Sequence, residues 1–362
     1  MLSPIHAARS QRIRAWHWRT LPAVLSALLG AALPTHAIAS ERPTCAVVAI
    51  GKSDALAHEA AEFSVLLENA VHRTAQLVPS DLADAVDPEG AQARATKARA
   101  ASEALSLARK AYDALDVDTA FEQARRAIFL GSEAPVAQRR GLLTAALLLA
   151  GASRYYAGDE TGSRDEFLWL FGIDPVVPLD PSSWSPDVLL VAESERGRGA
   201  ALRHGEAMVR TEPVPARIFV DGVAAGIAPL RLHGLSAGPH NVSAVVPGYA
   251  QRDALVSAGG ERTIALQPVS TGRDLLAQEK LASEKFGSAE GDEAIRQIGR
   301  DAGVQQVLAG RIELRGQGLF VHLLRIAVSD GAHLGEASGE FALDNPRTVA
   351  AADALIVRAL SP

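Results

Sequence analysis

The chain has 362 residues, 48% apolar and 5% aromatic, with a formal charge of -6. That is enough chain for two or three domains and too apolar for disorder throughout. An acidic chain without a basic run is a poor partner for nucleic acid or anionic lipid, and a lone cysteine, Cys45, excludes an intramolecular disulfide framework.

At the N-terminus Arg9, Arg12, Arg14 and Arg19 precede an apolar run at 21–33, and Ala37-Ile38-Ala39 offers a small-x-small cleavage point. The run is about 13 residues, short of the ~20 that cross a bilayer, so residues 1–39 read as a cleaved signal peptide rather than an anchor. Pro43-Thr44 ahead of Cys45 does not make a lipoprotein signal, and adjacent twin arginines are missing. Cleavage would remove four arginines and no acid, moving the charge from -6 to -10. No later run reaches spanning length, so the mature chain is expected to have no transmembrane segment.

Residues 40–80 read as strand, helix, strand, one parallel βαβ unit. The apolar run 45–50 is the first strand, with Cys45 buried in it. Ser53-Asp54 can cap the helix, Ala57, Ala61, Val65 and Leu66 give it an apolar face, and 76–78 is the second strand. The polar stretch 81–92 reads as a linker.

A helical domain is expected over 94–198. Ala98, Ala101, Leu105, Ala108, Tyr112 and Leu115 form one stripe; Asp118 starts a second helix, Pro135 a third, and Asp159 a fourth that Gly172 ends. A Pro-rich connector at 176–186 leads to a last helix at 186–198. The Tyr156, Gly158, Asp159 turn and the small residues at the crossings are similar to tetratricopeptide repeats, with a plain helical bundle as the alternative. Either surface would bind partners.

In 209–268 apolar residues alternate at Ala216, Ile218 and Val220 and again at Val242, Ala244 and Val246, with Asp221-Gly222 as a hairpin signal. Six or so short strands make a small antiparallel β-sandwich. The order Pro213, Pro215-Ala216, Ile218-Phe219-Val220-Asp221-Gly222, Gly226, Pro229, Leu235, Gly238, His240, Val242, Gly248-Tyr249 resembles the PEGA domain over 207–268. Two of its positions depart from the usual pattern, Pro215 for glycine and Ala228 for threonine. The resemblance implies a binding or spacer module of an exported bacterial protein, with no shared active site, and so a periplasmic location.

Residues 273–362 read as an α/β domain: helices at 275–286 and 291–302, strands at 304–314, 319–328 and 333–343, and a helix at 346–360. The stretch 298–331 is similar to the half-domain of CsgG- or TolB-N-terminal-like envelope proteins. Both ends of the chain leave open sheet edges, which predicts one discontinuous domain with 40–80: a five-stranded mixed sheet with helices on one face. The fold class is therefore multidomain α+β.

No HExxH, P-loop, G-x-S-x-G or cysteine pair is present. His233, His240 and Asp253 do not make a metal set, and Asp159-Glu160 and Asp165-Glu166 read as helix starts and a solvated face. No catalytic, metal or cofactor-binding residue is assigned, and no cofactor is implied. Trp169 and Trp184, out of register with the main stripe, are the candidate partner-binding residues. The expected function is a non-enzymatic interaction or scaffold protein of the periplasm, its partner a protein or peptidoglycan-type material. An envelope glycan hydrolase and a purely structural link are the alternatives.

Overall fold

The computed structural model describes residues 42–202, 205–236, 238–316, 318–341 and 348–361, so the signal-peptide reading at 1–39 lies outside it. The first strand, β1 (Thr44–Gly51), is buried at Cys45, Ala46, Val47 and Val48 in succession, so both its faces are covered. Helix α1 (Ala57–Thr74) turns Ala60, Phe63, Leu67, Ala70 and Val71 to the core. The stripe expected there, Ala57, Ala61, Val65 and Leu66, stays half-buried. Phe63 and Leu67 carry the larger apolar area, so their face takes the core. The second strand is only β2 (Val78–Pro79), because Pro79 has no N–H for a longer ladder.

The expected linker at 81–92 is helical instead. Asp81 caps α2 (Leu82–Val86) by accepting from the Ala83 and Asp84 amides. Asp87 accepts from the Gly90 amide at 3.1 Å and caps α3 (Pro88–Asp113), with Pro88 in the first turn, where its missing N–H costs nothing. Next come α4 (Val117–Ser132), capped by Asp116 rather than Asp118, α5 (Val136–Tyr156), α6 (Glu160–Ile173), capped by Asp159, and α7 (Pro186–Ala201), capped by Ser185. Each helix from α3 to α7 packs on the next, and α3 also reaches α5. Where α3 crosses α4 the buried residues are mostly alanines, Ala104 and Ala108 beside Ala124 and Ala127, so the axes approach closely.

The β module comprises β3 (Gly205–Glu212), β4 (Arg217–Val220), β5 (Val223–Ile227), β6 (Leu230–Leu235), β7 (Pro239–Val245), β8 (Arg252–Ser257) and β9 (Glu261–Ala265). Two sheets, ordered β6-β3-β9 and β5-β4-β7-β8, enclose Val209, Ile218, Leu232, Val242, Val256 and Ile264. The sandwich is not wholly antiparallel: β3 and β9, which open and close the module, run parallel. Asp221 and Gly222 both have positive φ, 49° and 83°, the two-residue turn that the Asp-Gly signal implies.

Helices α8 (Ser270–Glu284) and α9 (Ala289–Asp301), strands β10 (Gln306–Arg315), β11 (Gly318–Ala327) and β12 (His333–Phe341), and helix α10 (Thr348–Leu360) complete the chain. β10 lies parallel to β1, from Cys45 opposite Gln306 to Gly51 opposite Ile312, in a sheet ordered β12-β11-β10-β1-β2. Both ends of the described chain therefore build one five-stranded mixed sheet. Its helices cover two faces, not one. α1 and α10 pack over Cys45, Val47, Leu308 and Ile312, while α8 and α9 pack over Ala46, Val48, Val307 and Ala309. A run of apolar residues without alternation is the pattern of a strand buried on both faces.

Candidate functional site

A cleft of about 840 Å³ opens at the carboxyl end of β1, where Gly51, Lys52 and Ser53 leave the sheet. That end is where open α/β sheets place ligands. One wall is the stripe of α1 that the core does not use: Ala57, Ala61, Val65, then Glu68 and His72. The opposite wall belongs to the β module, through Arg217, Phe219, Pro247 and Tyr249, and α8 closes a third side with Leu276, Glu279, Lys280 and Ser283. Ser283 Oγ donates to the Gly51 carbonyl at 2.9 Å, which fixes α8 against the end of β1.

Two of the cleft's bases are already engaged. Arg217 Nη1 lies 3.2 Å from Glu68 Oε2, and Lys52 Nζ lies 3.4 Å from Glu313 Oε2. Burial raises the Glu68 pKa, Arg217 works against that shift, and Asp81 adds to it. Glu279 is different. It is half-buried, burial alone pushes it up to about 7, and among the described residues it has no ion-pair partner. Beside it Tyr249 is 7% exposed, and burial followed by the Glu279 charge pushes its phenol upward. None of these groups stood out in the sequence. The signal was Glu68 and His72 continuing the Ala57, Ala61, Val65 spacing: an apolar face that turns polar halfway along is not spent wholly on packing.

A second constellation lies inside the β module. Ser236 Oγ is 3.2 Å from His240 Nε2, and His240 Nδ1 is 2.7 Å from Asp221 Oδ2, the connectivity of a serine hydrolase triad. The sequence reading missed this arrangement, because Asp221 belongs to a turn signal and Ser236 to no motif. The surroundings oppose hydrolysis. Burial alone would lower the His240 pKa, but the Asp221 hydrogen bond and charge outweigh it and favour the imidazolium, whereas a general base must be neutral. A Cβ on Gly172 of α6 would fall 2.5 Å from Ser236 Oγ, so the hydroxyl lies under a helix, and the cleft does not reach it. Asp221 also accepts from the Asn241 amide at 2.9 Å, which ties a turn to a strand.

The module is locked to its neighbours by a buried charge. Arg139 of α5, with no solvent exposure, donates to Asn241 Oδ1 at 2.7 Å, to Asp253 Oδ1 at 2.9 Å, to the Ala134 carbonyl at 2.8 Å and to Ser243 Oγ. Asp253 is thereby the partner of an arginine, while His233 pairs with Glu206 at 2.9 Å, so the three residues weighed for a metal face different partners. Glu166, expected on a solvated face, is 6% exposed between Arg125 at 3.5 Å and Arg154 at 3.7 Å. It lies on the α6 face that packs against its neighbouring helices, and burial raises its pKa although the two guanidiniums work against that shift. The Cys45 thiol is buried and pushed up to about 12, which leaves it inert.

Trp169 and Trp184 are both half-buried against the helical core. The Trp184 ring sits 5.4 Å from Tyr112, with the Arg109 guanidinium 4.8 Å from its centroid, and Tyr112 in turn meets Tyr156 at 5.9 Å. Tyr156 is exposed, so this aromatic row reaches the surface.

The β module thus belongs to the class of small two-sheet domains with a short-strand core and Asp-Gly turn. Residues 204–269 match the PEGA domain family, and the chain carries a PEGA domain there. The match covers roughly a sixth of the chain. No curated protein and no solved structure matches it. Among the described residues no helix is long and apolar enough to cross a membrane.

Proposed function

We propose that the chain is a non-enzymatic interaction or scaffold protein of the bacterial cell envelope, working in the periplasm. Its partner is a protein or peptidoglycan-type material. The PEGA domain supports an envelope-associated setting. The observation that carries the scaffold reading is the buried Arg139 network, because a loose spacer has no use for a fully desolvated arginine that fixes one module on the next. Helices α3 to α7, similar to tetratricopeptide repeats, then present the row Trp184, Tyr112, Tyr156 in fixed orientation, and Trp169 supports it from the helical core.

Cross-linking in intact cells, followed by mass spectrometry, tests this. The wild type is expected to cross-link to one envelope component, and a W169A/W184A double variant to lose that product while R139A reduces it. Unchanged cross-linking and unchanged melting temperature in the double variant would remove the aromatic row from the function. The triad geometry favours one rival, an exported serine hydrolase. A serine-directed fluorophosphonate should leave Ser236 unlabelled; labelling of Ser236 that S236A abolishes would establish the rival.

A further inference from the structure

We propose that the cleft at the end of β1 binds a ligand through a primary ammonium group on an aliphatic stem, with Glu279 as its counter-ion and the Tyr249 hydroxyl as a second acceptor. The inference rests on the cleft alone, so it stands or fails apart from the envelope reading.

The charges in the cleft are out of balance. Asp54, Glu68, Asp81, Glu279 and Glu284 face Lys52, Arg217 and Lys280, and two of those three bases are held by Glu313 and Glu68. Asp81 is spent on capping α2. Lys280, next to Glu279 on α8, also lines the cleft but forms no ion pair with it. Glu279 is therefore a half-buried carboxylate that lines the cleft without an ion-pair partner among the described residues, an arrangement that a bound cation relieves.

A second observation points to the same place. Tyr249 is more than nine-tenths buried, lines the cleft, and its hydroxyl has no hydrogen-bond partner among the described residues. That oxygen is not sealed from the cleft, so it is left to bond whatever enters there. An ammonium group has three donors, enough to serve both the carboxylate and the phenol oxygen. The wall opposite is apolar: Ala57, Ala61 and Val65 of α1 form a strip along which methylene groups can lie, with Leu276 of α8 nearby. A cavity of about 840 Å³ holds a short peptide side chain with its flanking residues as readily as a free diamine.

The test is titration calorimetry at pH 8. The probes are N-acetyl-Ala-Lys-Ala-amide, the same peptide with its lysine Nε acetylated, and 1,5-diaminopentane. The free-amine peptide is expected to bind at least tenfold more tightly than its acetylated form. Equal binding of the diamine would identify a small amine as the natural class; much weaker binding of the diamine would identify a peptide. E279Q should lose tenfold or more and Y249F a few-fold, while E290Q, on the exposed face of α9, should bind as the wild type does.

Wild-type affinity should also fall about tenfold from pH 8 to pH 6, as Glu279 takes up a proton, and E279Q should lose that dependence. The titratable and charged groups that line the cleft with Glu279 are Glu68 and His72 from α1, Arg217 from β4, Lys280 and Glu284 from α8, Tyr249, and Lys52, Asp54 and Asp81 near the end of β1 and the start of α2; the slope should survive in H72Q. Equal binding of the acetylated peptide, wild-type affinity in a folded E279Q, or no binding of any probe at millimolar concentration would overturn the proposal.

Discussion

Glu279 shows how one side chain can set a pH response. Its pKa is raised from 4.5 to about 7 by burial, so between those values the folded protein holds a proton that the unfolded chain has released. Folding stability therefore falls as pH rises through that window, and above pH 7 the protein bears the cost of a half-buried unpaired charge. Glu279→Gln should remove the cost while keeping the shape. At pH 8 the variant is expected to be more stable than the wild type by about 2 kcal/mol, reduced from the full shift because the group is only half-buried. At pH 4, where the wild-type carboxyl is protonated, the two should coincide. Urea unfolding at both pH values checks this, and a variant less stable at pH 8 would mean that Glu279 has a cationic partner in the folded chain.

At the scale of elements, the β module meets the start of α8 glycine on glycine. A Cβ on Gly272, in the first turn of α8, would fall 1.9 Å from the Gly248 carbonyl oxygen, and that oxygen cannot turn aside because it accepts from the Val269 amide at 3.1 Å. Gly272→Ala should therefore cost about 2 kcal/mol or more in thermal or urea unfolding. Gly234→Ala, where no atom lies within 4 Å, loses only the freedom of its positive φ and should cost less. Neither contact could be read beforehand, since Gly272 sits in an ordinary helix start and its neighbour is 24 positions away. Local chemistry was readable: Asp159 caps α6 and Asp221-Gly222 makes its turn. Misreadings came where one residue type serves two purposes. Asp81, Asp87 and Pro88 are loop formers and helix starters alike, and α1 carries two apolar stripes of which only three-dimensional packing selects one. The parallel β3–β9 edge was hidden for another reason: strand direction within a sheet depends on the path of the intervening chain.

For the whole molecule, the main consequence is that the helical block and the PEGA domain lie in sequence between two halves of one sheet. β1 hydrogen-bonds to β10 more than 250 residues later, and Val48 and Val307 sit in one core while Val47 and Leu308 sit in the other. Neither half can open alone without exposing apolar area on both faces, so β1 and β10 should behave as one cooperative unit. The pattern of open edges at both chain ends already argued for such a partnership. Native-state hydrogen exchange is the measurement. Amides of Val47, Val48 and Ile50 are expected to show the same opening free energy as those of Leu308 and Gly310, and to lose protection in the same transition under increasing denaturant. The PEGA strands should open separately only if the Arg139 network and the Arg217–Glu68 pair break first, so R139A should lower protection in β7 and β8 while leaving β1 and β10 unchanged. Exchange of the β1 amides roughly tenfold or more faster than those of β10 would mean that the first strand is a loosely held edge, and the cleft built on its carboxyl end would then lose its rigid floor.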